Sequence, residues 1–246
     1  MRSSKRLDTP SVPGAFDTAA ARYDLLVGAN PGYHAALRYA ARMLALPSGG
    51  AGARVLDLGC GTGASTAAVL AAAPSARVVA VDASAGMLTR ARAKSWPDTV
   101  SFVHARAEEV AEAVRAAGVE GPFDGVFAAY LVRNVADPDP LLAAVHGLLR
   151  PGAPLVVHEY SVRDSAVARA IWSLMCWTVI IPAGKLSTGD HRLFTYLWRS
   201  VRAFDGAGQF RDRLRRAGFD EVSGATARGW QRGILHTFVG RREQVG

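Results

Sequence analysis

The chain has 246 residues, of which 50% are hydrophobic and 20% are charged. These are ordinary values for a globular protein, and they exclude a wholly disordered or fibrous chain. The length predicts a single domain. Two cysteines are too few for a disulfide framework or a four-thiolate metal site, so we predict a reducing compartment and no metal. The net charge of +8 fits nucleic acid, an anionic membrane, an acidic ligand or no such partner.

The first fifty residues predict a mobile tail followed by a helical cap. Residues 1–15 are charged, contain prolines and lack the apolar segment of a secretory signal. Residues 16–50 make up the predicted cap, with helix over 16–46 interrupted around Pro31 and then a glycine-rich linker. We assign residues 16–246 to one domain.

Between residues 54 and 160, short apolar runs alternate with segments of helical pattern. Strands are predicted over 54–58, 77–82, 100–104, 123–130 and 154–160. Helices are predicted before Pro74 and over 85–94, 107–117 and 140–149. This alternation is typical of a parallel sheet with helices on both faces, so we predict a doubly wound α/β core that binds a cofactor.

Beyond residue 160 this alternation stops. Residues 161–204 predict two helices, over 164–181 and 191–203, that form a lid or acceptor-binding insertion. Residues 205–246 predict a last helix over 210–217 and closing strands over 221–226 and 234–241, which complete a mostly parallel seven-stranded sheet. The apolar run 170–183 is shorter than the ~20 residues that span a membrane, so it predicts a buried or interfacial helix.

The segment after the first predicted strand carries the strongest functional signal. It reads Val-Leu-Asp-Leu-Gly-Cys-Gly-Thr-Gly over 55–63. Gly59 permits a turn with positive φ, Gly61 lets a ligand approach the backbone, and Gly63 lets the next helix start close to the sheet. Asp57, near the end of the strand, can accept hydrogen bonds from a ligand amine.

Two kinds of ligand fit this glycine loop. Gly59, Gly61 and Ala64 match the G-x-G-x-x-A fingerprint of dinucleotide sites. The segment also resembles the first motif of class I S-adenosylmethionine methyltransferases. Asp57 favours the second interpretation, because a carboxylate repels a pyrophosphate and attracts the ammonium of an amino acid.

Residues after the second and third strands are candidate contacts of the same ligand. Asp82 ends the second strand, where an acid binds ribose hydroxyls, but it could instead cap the next helix, a role that Ser84 could also take. Met87 could lie against an adenine ring or pack in the core. Ala107 is expected to make a backbone contact, because Arg106 stands where related enzymes often have an acid or an amide.

Beyond the loop, the chain resembles the ubiquinone/menaquinone biosynthesis C-methyltransferase family from Phe16 to about Gly240. The matching segments are Phe16-Asp17 with Tyr23-Asp24, Gly32-Tyr33-His34 with Arg38, Val132-Arg133-Asn134-Val135, Leu149-Arg150-Pro151-Gly152, Glu159-Tyr160-Ser161, and Phe194-Thr195-Tyr196-Leu197 with Ser200. The chain departs from the family pattern where Phe194 replaces a tyrosine, Phe204-Asp205-Gly206 replaces Pro-Asp-Gln, and His158 replaces an aliphatic residue.

The resemblance implies a Rossmann-like methyltransferase fold, S-adenosyl-L-methionine as the cofactor, and C-methylation of a prenylated quinol similar to a demethylmenaquinol. It implies Arg133 and Asn134 near the acceptor, and Tyr196 and His34 are further candidate catalytic residues. With those of the glycine loop, the candidate cofactor contacts are Tyr23, Arg38, Asp57, Gly59, Gly61, Gly63, Asp82, Ala83, Met87, Ala107 and Ala129.

Each candidate catalytic side chain has a structural alternative. Arg133 stays protonated, so it would stabilise a phenolate or act through water, but it could instead form a salt bridge with Asp137 at the next helix. Tyr196 could line the acceptor, cover the cofactor or pack in the core. His34 is a candidate base or a structural histidine, and the same holds for His158.

The sequence leaves the acceptor and the place of action open. A soluble natural-product phenol or polyketide is the main alternative acceptor. Nucleic acid is not expected, because Ala128-Ala129-Tyr130-Leu131 lacks the Pro-Pro-Tyr pattern of amine-methylating enzymes and neither cysteine stands where cytosine-carbon enzymes need one. The apolar run 170–183 is flanked by Arg163, Arg169, Lys185 and Arg192. Together with the polyprenyl acceptor that the resemblance implies, these cations predict a cytoplasmic protein with peripheral contact to an anionic membrane, whereas the alternative is an ordinary buried helix.

Overall fold

A computed structural model describes Gly14 and residues 32–119, 121–189 and 191–244. Its strands are β1 Arg54–Leu58, β2 Arg77–Asp82, β3 Val100–His104, β4 Gly125–Ala129, β5 Pro154–Tyr160, β6 Phe219–Thr226 and β7 Leu235–Arg242. They form one sheet in the order β3-β2-β1-β4-β5-β7-β6. Strands β1 to β5 run parallel, and β7 is antiparallel to β5 and β6. The predicted doubly wound, mostly parallel seven-stranded sheet is confirmed.

The helices flank this sheet and fill the insertion after β5. They are α1 Tyr33–Arg42, α2 Ala64–Ala72, α3 Ala85–Arg92, α4 Val110–Ala116, α5 Pro138–Leu148, α6 Ala166–Met175, α7 Ile181–Thr188, α8 Arg192–Ala203 and α9 Ala207–Arg216. Short 3-10 turns lie at Pro47–Gly50, Ala107–Glu109, Val132–Asn134 and Gly229–Gln231. The predicted tail and the first part of the predicted cap, including Tyr23, lie outside the described residues.

Capping residues explain where several helices begin. The predicted helix over 140–149 starts earlier, at Pro138, because the Asp137 carboxylate accepts a hydrogen bond from the Asp139 N–H (3.1 Å). Proline at the first helical position loses no hydrogen bond there. Ser165 caps α6 in the same way by accepting from the Ala168 N–H (3.1 Å).

The sheet is buried on both faces, which is why its strands read as continuous apolar runs. On one face, Leu56 and Leu58 of β1 pack with side chains of α4, α5 and α9. On the other face, Val55 packs with side chains of α1 and α2. Because β1 pairs in parallel with both β2 and β4, the carboxyl ends of these three strands meet at one edge of the sheet, where the glycine loop begins.

The insertion differs from the prediction in the length and burial of its first helix. A π-helical turn at Cys176–Ile180 joins α6 and α7 into one helix that continues past the predicted end at residue 181. Within the described residues, Ala166–Ser187 is the one helix long and apolar enough to cross a membrane, judged by length and composition alone. Only 22% of this segment is buried, so the alternative of an ordinary buried helix is wrong.

Candidate active site

The glycine loop after β1 folds back over the end of β2. The N–H groups of Gly59 and Cys60 both donate to the Val81 carbonyl, at 2.8 and 3.0 Å. Gly59 has φ of 77°, as its predicted turn requires, and a Cβ there would lie 3.0 Å from Leu131. Gly61 has φ of 56°, and a Cβ there would meet no atom within 4 Å. Its backbone therefore faces open space on the side of the cavity, where a ligand can approach.

Gly63 is constrained by a different neighbour from the one predicted. It has φ of 94° at the start of α2, and a Cβ there would lie 2.6 Å from the Trp96 ring. The Trp96 indole N–H donates to the Ala91 carbonyl (2.7 Å), which fixes the ring against the loop. The close approach at Gly63 is thus to an aromatic side chain that follows α3, and not to the sheet.

Asp57 lies beneath the loop and is fully buried. Its Oδ2 accepts hydrogen bonds from the hydroxyls of Ser65 (2.8 Å) and Thr66 (2.6 Å), at the start of α2. Its Oδ1 has no hydrogen-bond partner among the described residues. Burial raises the pKa of this carboxyl to about 7, against the lowering effect of the two hydroxyls. Asp57 thus joins β1 to α2, and its contact with a ligand amine stays a prediction.

Asp82 connects the loop to the start of α3. Its Oδ2 accepts from the Gly61 N–H (2.8 Å) and its Oδ1 accepts from the Ser84 N–H (2.8 Å). Ser84 is the residue that caps α3, because its hydroxyl accepts from the Met87 N–H (3.1 Å). The alternative in which Asp82 is the helix cap is therefore wrong, and the carboxylate stands in the cavity wall.

A cavity lies in front of the glycine loop, along the carboxyl ends of β1, β2 and β4. Seven of the predicted cofactor contacts line it, namely Gly59, Gly61, Asp82, Ala83, Met87, Ala107 and Ala129. The wall also includes Glu108, which pairs with Arg106 at 3.7 Å. Only a backbone contact from Ala107 was predicted here, because Arg106 stands where an acid or an amide was expected, but Glu108 adds a carboxylate to the wall two residues after Arg106. The two consecutive glutamates Glu108 and Glu109 are the sequence feature that could have predicted a carboxylate here.

Part of the cavity wall is aromatic. Tyr33 of α1 stacks on Tyr130 with ring centroids 5.5 Å apart and an angle of 14° between the rings. Tyr130 follows β4 with φ of 56°, a strained left-handed conformation for a tyrosine. Asn134 also lines the cavity and donates from Nδ2 to the Tyr130 carbonyl (3.0 Å). Within the described part of the chain, Asn134 Oδ1 is buried and has no partner. Neither Tyr33 nor Tyr130 was among the predicted site residues.

Arg133 points away from this cavity and forms a buried ion pair. Its Nη1 lies 2.6 Å from Glu159 Oε1 and 2.7 Å from the Tyr130 carbonyl. The Arg133 side chain is 6% exposed and that of Glu159 is 0% exposed. Burial raises the pKa of Glu159 although the guanidinium lowers it. The proposed salt bridge between Arg133 and Asp137 is wrong, because Glu159 of β5 is the partner and Asp137 caps α5.

The structure separates the four candidate catalytic residues. Asn134 lines the cavity of the glycine loop, whereas Arg133 and Tyr196 line a second cleft on the other side of the Val132–Asn134 turn. His34 is exposed on α1 with its ring edge against Tyr33, and it lines neither space. The same holds for Arg38, one turn later, which was a candidate cofactor contact. Roles for these two residues stay predictions.

His158 does not have the properties of a base at neutral pH. It is 2% exposed, its Nδ1 lies 2.9 Å from the Thr237 hydroxyl, and burial lowers its pKa to about 3. Its ring packs against Tyr130 outside both spaces. We therefore withdraw His158 as a candidate base. In the described ranges, no group of three or more His, Cys, Asp or Glu side chains could hold a metal.

Comparison with known proteins connects this site to a family. The model of the ubiE/COQ5 methyltransferase family matches residues 4–240. The chain belongs to the ubiE/COQ5 methyltransferase family. It is 32% identical to the ubiquinone/menaquinone biosynthesis C-methyltransferase of Bradyrhizobium diazoefficiens, over 89% of this chain and 87% of the relative. It is 35% identical to the demethylmenaquinone methyltransferase of Clavibacter sepedonicus, over 70% of this chain and 67% of the relative.

Solved structures confirm the fold of this family member. The [4+2]-cyclase SpnF has a TM-score of 0.70 at 15% identity and covers 98% of both chains. Phosphoethanolamine N-methyltransferase 2 of Haemonchus contortus, in complex with S-adenosylhomocysteine, has a TM-score of 0.62 at 16% identity and covers 96% of this chain and 60% of that chain. At these identities the likeness concerns the fold alone.

The protein is an S-adenosylmethionine-dependent methyltransferase, and its described residues fit that cofactor. The Gly61 backbone faces open space, so an amino-acid headgroup can lie against it. The Asp82 carboxylate stands in the wall where ribose hydroxyls can reach it. Asp57 is fully buried and does not line the cavity, so a contact of its unpartnered Oδ1 with an ammonium stays a prediction. We therefore expect the glycine loop and the ends of β2 and β3 to hold the cofactor.

Proposed function

We propose that this methyltransferase adds a methyl group to a ring carbon of a prenylated quinol, similar to a demethylmenaquinol. Support comes first from the family match over residues 4–240 and from relatives named for ubiquinone and menaquinone biosynthesis. Because the acceptor is then a lipid, we place the enzyme on the cytoplasmic side of a membrane with peripheral contact to it. The alternative is a soluble natural-product phenol or polyketide, which the test below distinguishes.

The observation that carries the proposal is the unpartnered Asn134 Oδ1 in an aromatic wall. A quinol is a flat ring with hydroxyl groups, and Tyr33 and Tyr130 offer flat apolar surfaces beside Asn134. A ring hydroxyl can donate to Asn134 Oδ1 and so relieve a buried acceptor that has no partner among the described residues. The Asn134 amide is itself held by its bond to the Tyr130 carbonyl, so the oxygen has a fixed direction.

Ring methylation needs an acceptor carbon with high electron density. S-adenosylmethionine, when bound, supplies the electrophilic methyl on a sulfonium. The contribution of the chain is to hold the acceptor carbon about 3–3.5 Å from that methyl and to polarise the ring hydroxyl through Asn134. Arg133 stays protonated because its pKa is far above neutral. Its guanidinium donates to the Tyr130 carbonyl and forms an ion pair with Glu159. Its positive charge would therefore act on a developing phenolate together with the negative charge of Glu159.

The test measures methyl transfer by the purified chain to a short-prenyl demethylmenaquinol and to soluble phenols. Mass spectrometry identifies the methylated product, and NMR with a carbon-labelled methyl distinguishes a ring carbon from an oxygen. We expect C-methylation of the quinol and a loss of about tenfold in turnover for Asn134→Leu, because the variant removes one acceptor for the ring hydroxyl and a neutral hydrogen bond contributes about 0.5–1.5 kcal/mol. Thr89→Leu, an exposed change on α3 outside the cavity, is the control and should keep wild-type turnover.

Two results would replace this proposal. Turnover of the soluble phenols with none of the quinol would make the alternative acceptor correct. Full activity of Asn134→Leu on the quinol would show that the amide oxygen does not bind the acceptor. Cofactor affinity, measured by calorimetry, should stay close to wild type in both variants.

A further inference from the structure

The continuous helix formed by α6, the π-helical turn and α7 has one face packed on the protein. Its buried residues follow one stripe, namely Ala168, Trp172, Cys176, Ile181 and Gly184. The spacing of four residues becomes five across the π-helical turn, which adds one residue and returns Ile181 to the buried face. The Phe194 ring lies directly over Gly184, where a Cβ would be only 2.2 Å away. This face is therefore fixed against α8 and the end of the sheet.

The opposite face of the same helix is exposed and apolar. Its large side chains, with their exposed fractions, are Val167 (69%), Ile171 (38%), Leu174 (63%), Trp177 (54%), Val179 (50%) and Leu186 (88%). The helix holds no aspartate or glutamate over 166–187. Soluble monomers rarely expose a continuous apolar surface of this kind, and such surfaces mark sites of interaction. We call these six side chains the apolar face.

Positive charge surrounds the apolar face. Residues 163–205 contain six arginines and lysines and three aspartates, Asp164, Asp190 and Asp205. The exposed cations at its margins are Arg163, Arg169, Lys185, Arg192 and Arg202. A hydrophobic surface bordered by cations matches an anionic lipid leaflet, in which acyl chains lie below negative headgroups. A partner protein with a basic or neutral rim would not use these charges.

We propose that the apolar face docks in the plane of an anionic membrane leaflet and does not span it. A spanning helix meets lipid on all sides, whereas this one keeps Trp172 and Cys176 in a cluster with Tyr160 and Leu235 of the sheet. Crossing the membrane would remove that stripe from its cluster. Docking in the plane leaves the cluster intact and covers only the exposed side chains with lipid.

The docked helix is connected to the site by α8. This helix packs against the π-helical turn and also against the Val132–Asn134 turn, which carries Arg133 and Asn134. Trp198 of α8 donates from its indole to the Ser173 hydroxyl (3.1 Å) and meets the Trp177 ring at 5.5 Å. The inference rests on the proposed function to this extent only: a lipid acceptor would reach the site from the leaflet that the apolar face contacts.

The experiment measures sedimentation of the full chain with vesicles of phosphatidylcholine, with and without phosphatidylglycerol. We expect binding to the anionic vesicles, weakening as salt rises. Leu174→Ser and Trp177→Ser should each weaken binding about tenfold. Lys185→Gln should weaken it about fivefold. Trp230→Ser is the matched control, because Trp230 is a 43% exposed tryptophan at the Gly229–Gln231 turn and is not one of the six side chains of the apolar face, and it should bind as wild type does.

Three outcomes would overturn the docking proposal. The chain could stay in the supernatant with anionic vesicles at low salt. Trp230→Ser could lose binding as much as Trp177→Ser does. Sedimentation velocity could show a dimer that Trp177→Ser dissociates, which would assign the apolar face to a second copy. Methyl transfer to a short-prenyl quinol in vesicle-free buffer is measured in parallel, so that a failure of docking and a failure of the proposed reaction are seen separately.

Discussion

The buried pair of Arg133 and Glu159 allows a test that separates a structural role from a catalytic one. Arg133→Met removes the guanidinium and leaves the fully buried Glu159 carboxylate without its partner. Breaking such a pair costs about 3–5 kcal/mol of the free energy of unfolding. In a domain of this size each kcal/mol lowers Tm by about 2–4 °C, so we expect a fall of about 6–20 °C.

The pH dependence of this loss has a definite sign. Burial already raises the pKa of Glu159, and loss of the nearby positive charge raises it further. A protonated Glu159 has no charge to bury. The stability deficit of Arg133→Met is therefore largest at high pH and becomes smaller as the pH falls through the raised pKa.

Two further variants make the test decisive. Arg133→Met with Glu159→Leu removes the whole pair and should recover stability to within about 1 kcal/mol of wild type. Arg215→Met breaks the exposed pair with Asp212 and should cost less than about 1 kcal/mol. Thermal unfolding at pH 6 and 8 measures all three. If Arg133→Met loses no more than Arg215→Met, the ion pair does not stabilise the fold. If the double variant is stable but inactive per folded molecule, Arg133 takes part in the chemistry.

Three other variants test the cofactor loop and the buried histidine. Asp82→Ala should weaken S-adenosylmethionine binding about 10- to 100-fold by calorimetry, since a hydrogen bond to a charged group contributes about 1.5–3 kcal/mol. The exposed Asp98→Ala is its control, and equal affinities in both would refute the ribose contact. Gly63→Ala should lower the free energy of unfolding, measured by urea denaturation, by about 2–5 kcal/mol, because of its positive φ and because the new Cβ meets the Trp96 ring. Adding Trp96→Leu to Gly63→Ala should recover the share of this loss that comes from the contact with the ring. The pKa of His158 is about 3 in the folded state, against 6.5 for an ordinary histidine. As the pH falls below 6.5, the unfolded state takes up a proton at this residue while the folded state does not, so the free energy of unfolding falls. Between pH 7 and 5, wild type should lose about 2 kcal/mol more than His158→Gln, and parallel pH curves for the two would contradict this.

The sheet and the glycine loop could be predicted because their determinants are local. Alternating apolar runs and helical segments fix the order of elements, and Gly59 and Gly61 have the positive φ that glycine adopts readily in a tight turn. The capping of α3 by Ser84 is equally local. The closing strands were predicted to within two residues, since β6 and β7 pair with each other at the sheet edge over a short connection.

Contacts between distant residues explain what the sequence analysis missed at the site. The partner of Arg133 was sought four residues away at Asp137, but β4 and β5 are neighbours in the sheet, so Glu159 lies closer in space. The neighbour of Gly63 is Trp96, whose ring reaches the loop from beyond α3. Periodicity and spacing give no information on such pairs, because each depends on which strands and helices lie side by side.

The helix of the insertion is longer than the predicted segment 164–181. The prediction ended at residue 181, near the end of the apolar run 170–183, whereas the helix continues to Thr188. The helix ends at Gly189, which has φ of 75° and donates its N–H to the Lys185 carbonyl (2.8 Å). Glycine in this left-handed conformation stops a helix because it closes the last turn against the preceding carbonyls. The helix therefore extends beyond the apolar run 170–183 to Leu186, the most exposed side chain of the apolar face, so the exposed apolar surface is longer than the run in the sequence.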